Sequence, residues 1–303
     1  MGGIALLFPG QGSQYAGMGK DHAQGRPEAR ALFARADELL GFSLSRICFE
    51  GPEEELRQTM NTQPAIFLHS MAVLQTLVHL QPAMAAGHSL GEYSALVAAG
   101  ALDLEDGLRL VRLRGELMQK AGEKRKGTMA ALVGLDRNVV DEVCREASAA
   151  GVVVPANFNS PGQVVISGSV EGVRAGMEIA GRRGAKMAKE LVVSGAFHSP
   201  LMEDAREGLR AELARTPIRD ARIPVYANAT GEPVTGARDI RDLLDRQLTS
   251  PVLWEDTLRN MARDGAIRFV EVGPGKVLQG LARRTVPDVP SEGFDRCVGP
   301  QAP

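Results

Sequence analysis

The chain has 303 residues, 44% hydrophobic and 24% charged, the composition of a globular protein with room for one large domain or two smaller ones. A formal net charge of -2 leaves no electrostatic footprint for nucleic acid. Cys48, Cys144 and Cys297 are too scattered for a metal site and fit a reducing cytosol; Pro9-Gly10 cuts the first apolar run short, so no signal peptide or membrane span is expected.

Ile4 to Phe8 reads as a buried first strand of parallel-sheet type, ending in the loop Pro9-Gly10-Gln11-Gly12-Ser13-Gln14. That loop has free backbone N–H groups but is too short, and lacks the lysine, for a Walker A site. Helices are expected over 27–40 and from the acidic start Pro52-Glu53-Glu54-Glu55-Leu56, and a long apolar one over 62–79. Pro82 to Ala86 is a second buried strand. It runs into Gly87-His88-Ser89-Leu90-Gly91, a G-x-S-x-G, and then into an apolar helix from Glu92 to Ala99 with Gly100 as its C-cap. Strand, sharp turn and helix are the context that turns this pattern into a nucleophile elbow. The glycines spare a strained turn from side-chain collisions, and Ser89 gains a helix N-terminus that favours developing negative charge.

The next helix runs from Asp103, as N-cap, to Ala121. Projected at about 100° per residue, Leu104, Leu108, Leu110, Val111, Leu113, Leu117 and Met118 share one arc. Arg114 falls in the middle of that apolar arc. A guanidinium there needs an anion, which is either a structural salt-bridge partner or a substrate carboxylate held bidentately.

Glu123 to Gly127 reads as a charged linker. Beyond it come a strand (128–134), helix (137–149), strand (152–158), turn (159–162), strand (163–168), helix (170–183) and strand (187–193). This β-α-β-β-α-β order is the ferredoxin-like arrangement, read as a small subdomain inserted into a larger one. The chain then returns through Ser194 to Pro200 to a helix (201–215), strands at 223–227 and 268–272, and a last helix over 277–284. The tail, 286–303, is rich in Pro and Gly and is expected to fray.

Ser89 needs a base. Of the five histidines, His22 lies in a polar segment, His69 and His79 belong to the long helix, and His88 adjoins the serine on a turn that points it elsewhere. By elimination His198, on a Gly-containing loop between subdomains, is the base. A third group should fix its tautomer. Asp103, Asp106, Asp136 and Asp141 lie between serine and histidine, and spacing does not choose among them.

Six segments together resemble the malonyl-CoA:acyl carrier protein transacylase family. They are Phe8 to Gln14, Gly87 to Leu96, Arg114-Gly115, Asn157 to Gln163, Gly195 to Met202 and Val272 to Leu278. The resemblance runs from Leu6 to about Leu281 in the family's order. It implies an α/β-hydrolase-like large domain (1–126 and 194–285) and a ferredoxin-like subdomain (127–193). It makes Ser89 the nucleophile and His198 the base. The backbone N–H groups of Gln11 and Leu90 form the oxyanion hole, Arg114 binds the malonyl carboxylate, and Gln247 orients His198 through its carbonyl. Asn159 and Gln63 join the substrate contacts.

The implied reaction passes malonyl from malonyl-CoA to the phosphopantetheine thiol of an acyl carrier protein through a malonyl-serine, with no metal or redox cofactor. Lys186, Lys189, Lys276, Arg283 and Arg284 flank the cleft segments and are candidates for steering an acidic carrier. The chain is expected to work in the cytoplasm as a monomer, with neither membrane nor nucleic-acid partner. A serine hydrolase is the competing enzyme reading, although it has no need of a buried arginine. A non-catalytic carrier-docking module is the other.

Overall fold

The computed structural model describes residues 2–297. In chain order, β1 (Gly3–Phe8) leads to α1 (Lys20–Gly25), α2 (Pro27–Leu40), α3 (Leu44–Glu50), α4 (Glu53–Arg57) and α5 (Thr59–Leu74). Next come β2 (Pro82–Gly87), α6 (Gly91–Ala98) and α7 (Leu104–Lys124). The last four residues of β1 and of β2 are all buried, as strands covered on both faces must be. α5 is buried along nearly its whole length, so its apolar character runs all the way round and not along one stripe. It starts three residues earlier and stops five earlier than expected. α7 runs on through the charged segment to Lys124, so the linker shrinks to Arg125-Lys126.

The antiparallel sheet follows: β3 (Gly127–Val133), α8 (Arg137–Ala147), β4 (Val153–Ser160), β5 (Gln163–Ser169), α9 (Val170–Arg182) and β6 (Met187–Glu190). Its strand order is β4-β5-β3-β6, the ferredoxin-like pattern. Period-two alternation sorts its two faces. Ala130, Leu132, Val164 and Ile166 pack with residues of α8 and α9. Met129, Ala131 and Val165 join the other core, with α5 and α7. That second face becomes one wall of the cleft described below.

A single 3₁₀ turn (Pro200–Met202) then introduces α10 (Glu203–Arg215), β7 (Val225–Tyr226), β8 (Pro233–Val234), α11 (Ala237–Gln247), α12 (Trp254–Arg263), β9 (Ala266–Val272), α13 (Val277–Thr285) and β10 (Ser291–Phe294). The larger sheet has the order β10-β9-β1-β2-β7-β8, with β8 alone antiparallel to its neighbour. Fold class is therefore α/β: a mainly parallel sheet beside a separate antiparallel one.

The tail corrects an expectation. Ser291 to Phe294 pairs in parallel with Phe269 to Val272 and closes the exposed edge of β9. Asp295 then accepts from the Tyr15 hydroxyl at 2.8 Å and from the Gly275 N–H at 3.2 Å. The segment gains a sheet partner and a half-buried polar anchor, and these outweigh its Pro and Gly content. Residues 298–303, the rest of that expectation, lie outside the described residues.

Candidate active site

β2 ends and α6 begins within four residues, and the turn between them holds Ser89 at φ 52°. A serine in this left-handed region is strained, and its neighbours explain how the turn is held. A Cβ on Gly87 would lie 1.9 Å from the Gly91 carbonyl carbon, and one on Gly91 would lie 2.1 Å from the Phe8 oxygen. Both positions must be glycine for the elbow to close against β1. Asn228, just past β7, clamps the turn. Its Oδ1 accepts from the Ser89 N–H at 2.6 Å, and its Nδ2 donates to the Gly87 carbonyl at 2.7 Å.

Ser89 Oγ lies 2.7 Å from His198 Nε2. His198 also has a positive φ, 57°, and is 3% exposed. Its Nδ1 donates to two backbone carbonyls, Gln247 at 3.0 Å and Ser250 at 3.2 Å. Two acceptors at Nδ1 fix the tautomer and leave Nε2 as the acceptor for the serine proton. No carboxylate is needed for that orientation. Asp103 instead pairs with Arg219 and Asp106 with Arg109, on the surface. Burial, and then the charge of Arg114, push the His198 pKa down to about 3, so the ring is neutral.

Arg114 is fully buried. Nη1 donates to Gln63 Oε1 at 2.8 Å, and Nη2 donates to Gln247 Oε1 at 2.9 Å and to Ser89 Oγ at 3.0 Å. Nε has no partner among the described residues. All three acceptors are neutral, and among the described residues Arg114 has no salt-bridge partner. Gln247 in turn donates through Nε2 to the Ser89 carbonyl and to Glu92 Oε2, both at 2.9 Å.

Gln11 and Leu90 flank Ser89, and neither backbone N–H donates to another described residue. Gln11 Nε2 reaches Thr59 Oγ1 at 3.4 Å. A cleft of about 250 Å³ opens over the serine, with Gln63, Asn159 and His198 in its lining and Met118, Met129, Val165 and Phe197 as apolar walls. Asn159 Oδ1 lies 2.8 Å from His88 Nε2, and both residues line the cleft. Ser89, His198, Arg114 and Gln247 share one hydrogen-bond network, Gln11, Gln63 and Asn159 line the cleft, and Leu90 follows Ser89 in the chain. Three members were not anticipated: Asn228, Glu92 and the Ser250 carbonyl. Glu92 had a readable signal, since a carboxylate interrupts the otherwise apolar helix Gly91–Ala98, just as Arg114 interrupts its arc.

A strained serine stands on an elbow, a neutral histidine lies against it, and a buried arginine is hydrogen-bonded to the serine hydroxyl. The acyl transferase domain model matches residues 5–298. The chain is 46% identical over 287 residues to the malonyl CoA-acyl carrier protein transacylase of Bacillus subtilis, covering 94% of this chain and 90% of that one. The chain belongs to the malonyl CoA-acyl carrier protein transacylase family.

Solved structures agree in fold. An acyl carrier protein S-malonyltransferase from Vibrio cholerae superimposes with a TM-score of 0.93 at 41% identity, covering 98% of each chain. A malonyl-transacylase in complex with its type II PKS acyl-carrier protein gives 0.94 at 40% identity, covering 97% of this chain and 96% of that one. The segments that carry the transacylase resemblance converge here: Gln11, Ser89, Asn157, His198 and Leu278 all line the cleft, and Arg114 lies behind Ser89.

Proposed function

We propose that the chain transfers a malonyl group from malonyl-CoA to the phosphopantetheine thiol of an acyl carrier protein, through an ester on Ser89. The observation that carries this reading is Arg114. A fully buried guanidinium, bonded only to neutral acceptors, stands 3.0 Å from a serine hydroxyl that itself faces a neutral histidine. A malonyl thioester matches both ends of that arrangement. Its distal carboxylate has the planar geometry to displace amide oxygens from Arg114, while its thioester carbon faces Ser89.

In the first half-reaction His198 Nε2 takes the Ser89 proton as the Ser89 Oγ–carbon bond forms. The oxyanion lies between the N–H groups of Gln11 and Leu90; one such donor is typically worth ~3 kcal/mol. The carbon–sulfur bond breaks, and the proton held by His198 passes to sulfur, releasing CoA as its thiol. In the second half the carrier thiol gives its proton to His198, sulfur attacks the ester carbon, the carbon–Oγ bond breaks, and Ser89 Oγ takes that proton back from His198. The Gln247 and Ser250 carbonyls hold the imidazolium that forms in each half. Gln63 and Gln247 steady Arg114, and Asn159 holds His88 at the cleft wall. The apolar walls keep water from the ester, which separates transfer from hydrolysis.

The catalytic unit is read as residues 1–126 with 194–285, and 127–193 as the second wall of the cleft. The protein is read as a cytoplasmic monomer, and the wide scatter of Cys48, Cys144 and Cys297 along the sequence fits a reducing compartment. Among the described residues no helix is long and apolar enough to cross a membrane. The test is CoA release from malonyl-CoA with and without a phosphopantetheinylated carrier. A single turnover alone and continuous release with carrier support transfer. Continuous release without carrier makes the protein a hydrolase.

A further inference from the structure

Arg114 is fully buried and, among the described residues, has no carboxylate at ion-pair distance. A guanidinium stripped of hydration needs negative charge nearby. Glu92, 3% exposed, supplies it one amide away. The Gln247 side chain lies between them: Oε1 accepts from Arg114 Nη2 and Nε2 donates to Glu92 Oε2, each at 2.9 Å. This polarity is fixed from both ends. A flipped amide would set N–H against guanidinium and oxygen against carboxylate. Glu92 Oε2 also accepts from the Asn228 N–H at 3.0 Å, and the Asn228 side chain clamps the elbow. One buried carboxylate oxygen therefore joins the arginine relay to the turn that holds Ser89.

We infer that Glu92 is the resident counter-charge of Arg114, relayed through the Gln247 amide, and that it sets how tightly the site holds an acyl carboxylate. The inference rests on the reading of Arg114 as the carboxylate receptor. An arriving malonyl group enters a site that already holds one negative charge, so Arg114 is shared between two carboxylates. Its grip is weaker than that of a lone buried guanidinium. That suits an acyl group that must leave again for a second thiol. Glu92 touches no reacting atom; it is a positioning residue.

Burial raises the Glu92 carboxyl to about 7, against the pull of Gln247, Asn228 and Arg114. The charged and titratable groups coupled to it are Arg114 of α7 and Tyr93 of its own helix. Gln247 at the end of α11 and Asn228 after β7 also touch it, and they do not titrate. Tyr93 is pushed up to about 12 by burial and stays protonated, and neighbouring His198 stays neutral. Falling pH therefore neutralises Glu92 first. Arg114 loses its counter-charge, and the grip on a malonyl carboxylate, still ionised at pH 6, tightens.

The experiment measures kcat/KM for self-acylation by malonyl-CoA and by acetyl-CoA in wild type, Glu92→Gln, Arg114→Ala and the double variant. Glu92→Gln keeps the shape and offers an oxygen to both donors. Its malonyl-to-acetyl ratio at pH 8 is expected to rise about tenfold, the scale for unit charges ~12 Å apart at an effective dielectric of ~20. Damage to the elbow or to packing would lower both rates with no rise in the ratio. In the Arg114→Ala background the same substitution is expected to leave the ratio where it was. A ratio that is unchanged or lower in Glu92→Gln overturns the counter-charge. An Arg114→Ala ratio equal to wild type overturns the receptor reading instead. If Glu92→Gln fails to fold, the wild-type ratio decides. It is expected to rise from pH 8 to pH 6, and a flat ratio overturns the inference.

Discussion

His198, the proposed base, is kept neutral. Burial and the Arg114 charge both disfavour the imidazolium, and two carbonyls at Nδ1 dictate which nitrogen faces Ser89. The folded pKa lies below the ordinary histidine value of ~6.5, so protonation of the base sets in only well below that value. With acetyl-CoA, which has no distal carboxylate, kcat/KM for acylation is expected to stay within a factor of two from pH 8 to pH 5. A pH–rate series checks this, and an acid limb centred between pH 6 and 7 contradicts it. Arg114 is the other decisive residue. Removing one member of a buried ion pair typically costs ~2–5 kcal/mol, roughly thirty-fold to several thousand-fold in preference for malonyl-CoA.

These two residues were legible in the sequence for different reasons. Arg114 breaks an apolar helical arc, and periodicity alone exposes that. His198 was reached by elimination. Gln247 was reachable only through the resemblance. Part of its role runs through a backbone carbonyl, which every residue type has. Asn228 carries no spacing signature at all, because its bonds to the Ser89 N–H and the Gly87 carbonyl are long-range in sequence.

Among the elements, the elbow is the most constrained. Gly91→Ala would push a methyl to 2.1 Å from the Phe8 oxygen, and its nearest neighbours are all backbone atoms of Phe8 and Pro9, with no side chain to yield. Overpacking of this kind typically costs ~1–3 kcal/mol. The variant is expected to melt several degrees lower and to lose most of its self-acylation. Gly280→Ala in α13 is the control: nothing lies within 4 Å, and alanine favours a helix, so stability should hold or rise slightly. Thermal melting of both variants reads this, and equal melting temperatures would mean that the elbow relaxes freely. Local pattern found the long elements, including α2 and most of α7. It did not find α11, whose apolar stripe is narrow within a charged segment, or β10. Ser-Glu-Gly-Phe has no alternation, and only the open edge of β9 makes it a strand.

Across the whole molecule, the cleft exists because two sheets meet. The parallel sheet contributes the elbow and the Gln11 loop, and the antiparallel sheet contributes Met129, Asn157, Asn159 and Val165. The β-α-β-β-α-β order was readable from the sequence, but which face of that sheet turns toward Ser89 was not. Lys276, Arg283 and Arg284 are exposed around α13, whose Val277, Leu278, Leu281 and Arg284 line the cleft, and Lys186 and Lys189 are exposed at the antiparallel sheet. Carrier proteins present acidic surfaces, so charge at this rim should act on encounter and not on chemistry. Lys276→Glu with Arg283→Glu is expected to slow transfer to the carrier severalfold, with self-acylation by malonyl-CoA retained and the difference shrinking as salt rises. Equal loss in both half-reactions would place these residues outside docking.

The proposed reaction turns on a malonyl ester on Ser89 that only a thiol removes. Mass spectrometry of the intact protein and of its peptides, after malonyl-CoA and again after a phosphopantetheinylated carrier, detects it directly. One malonyl group is expected, on the peptide containing Ser89, absent in Ser89→Ala and discharged to the carrier. A label on another peptide, or an adduct that water removes as fast as the carrier does, would contradict it.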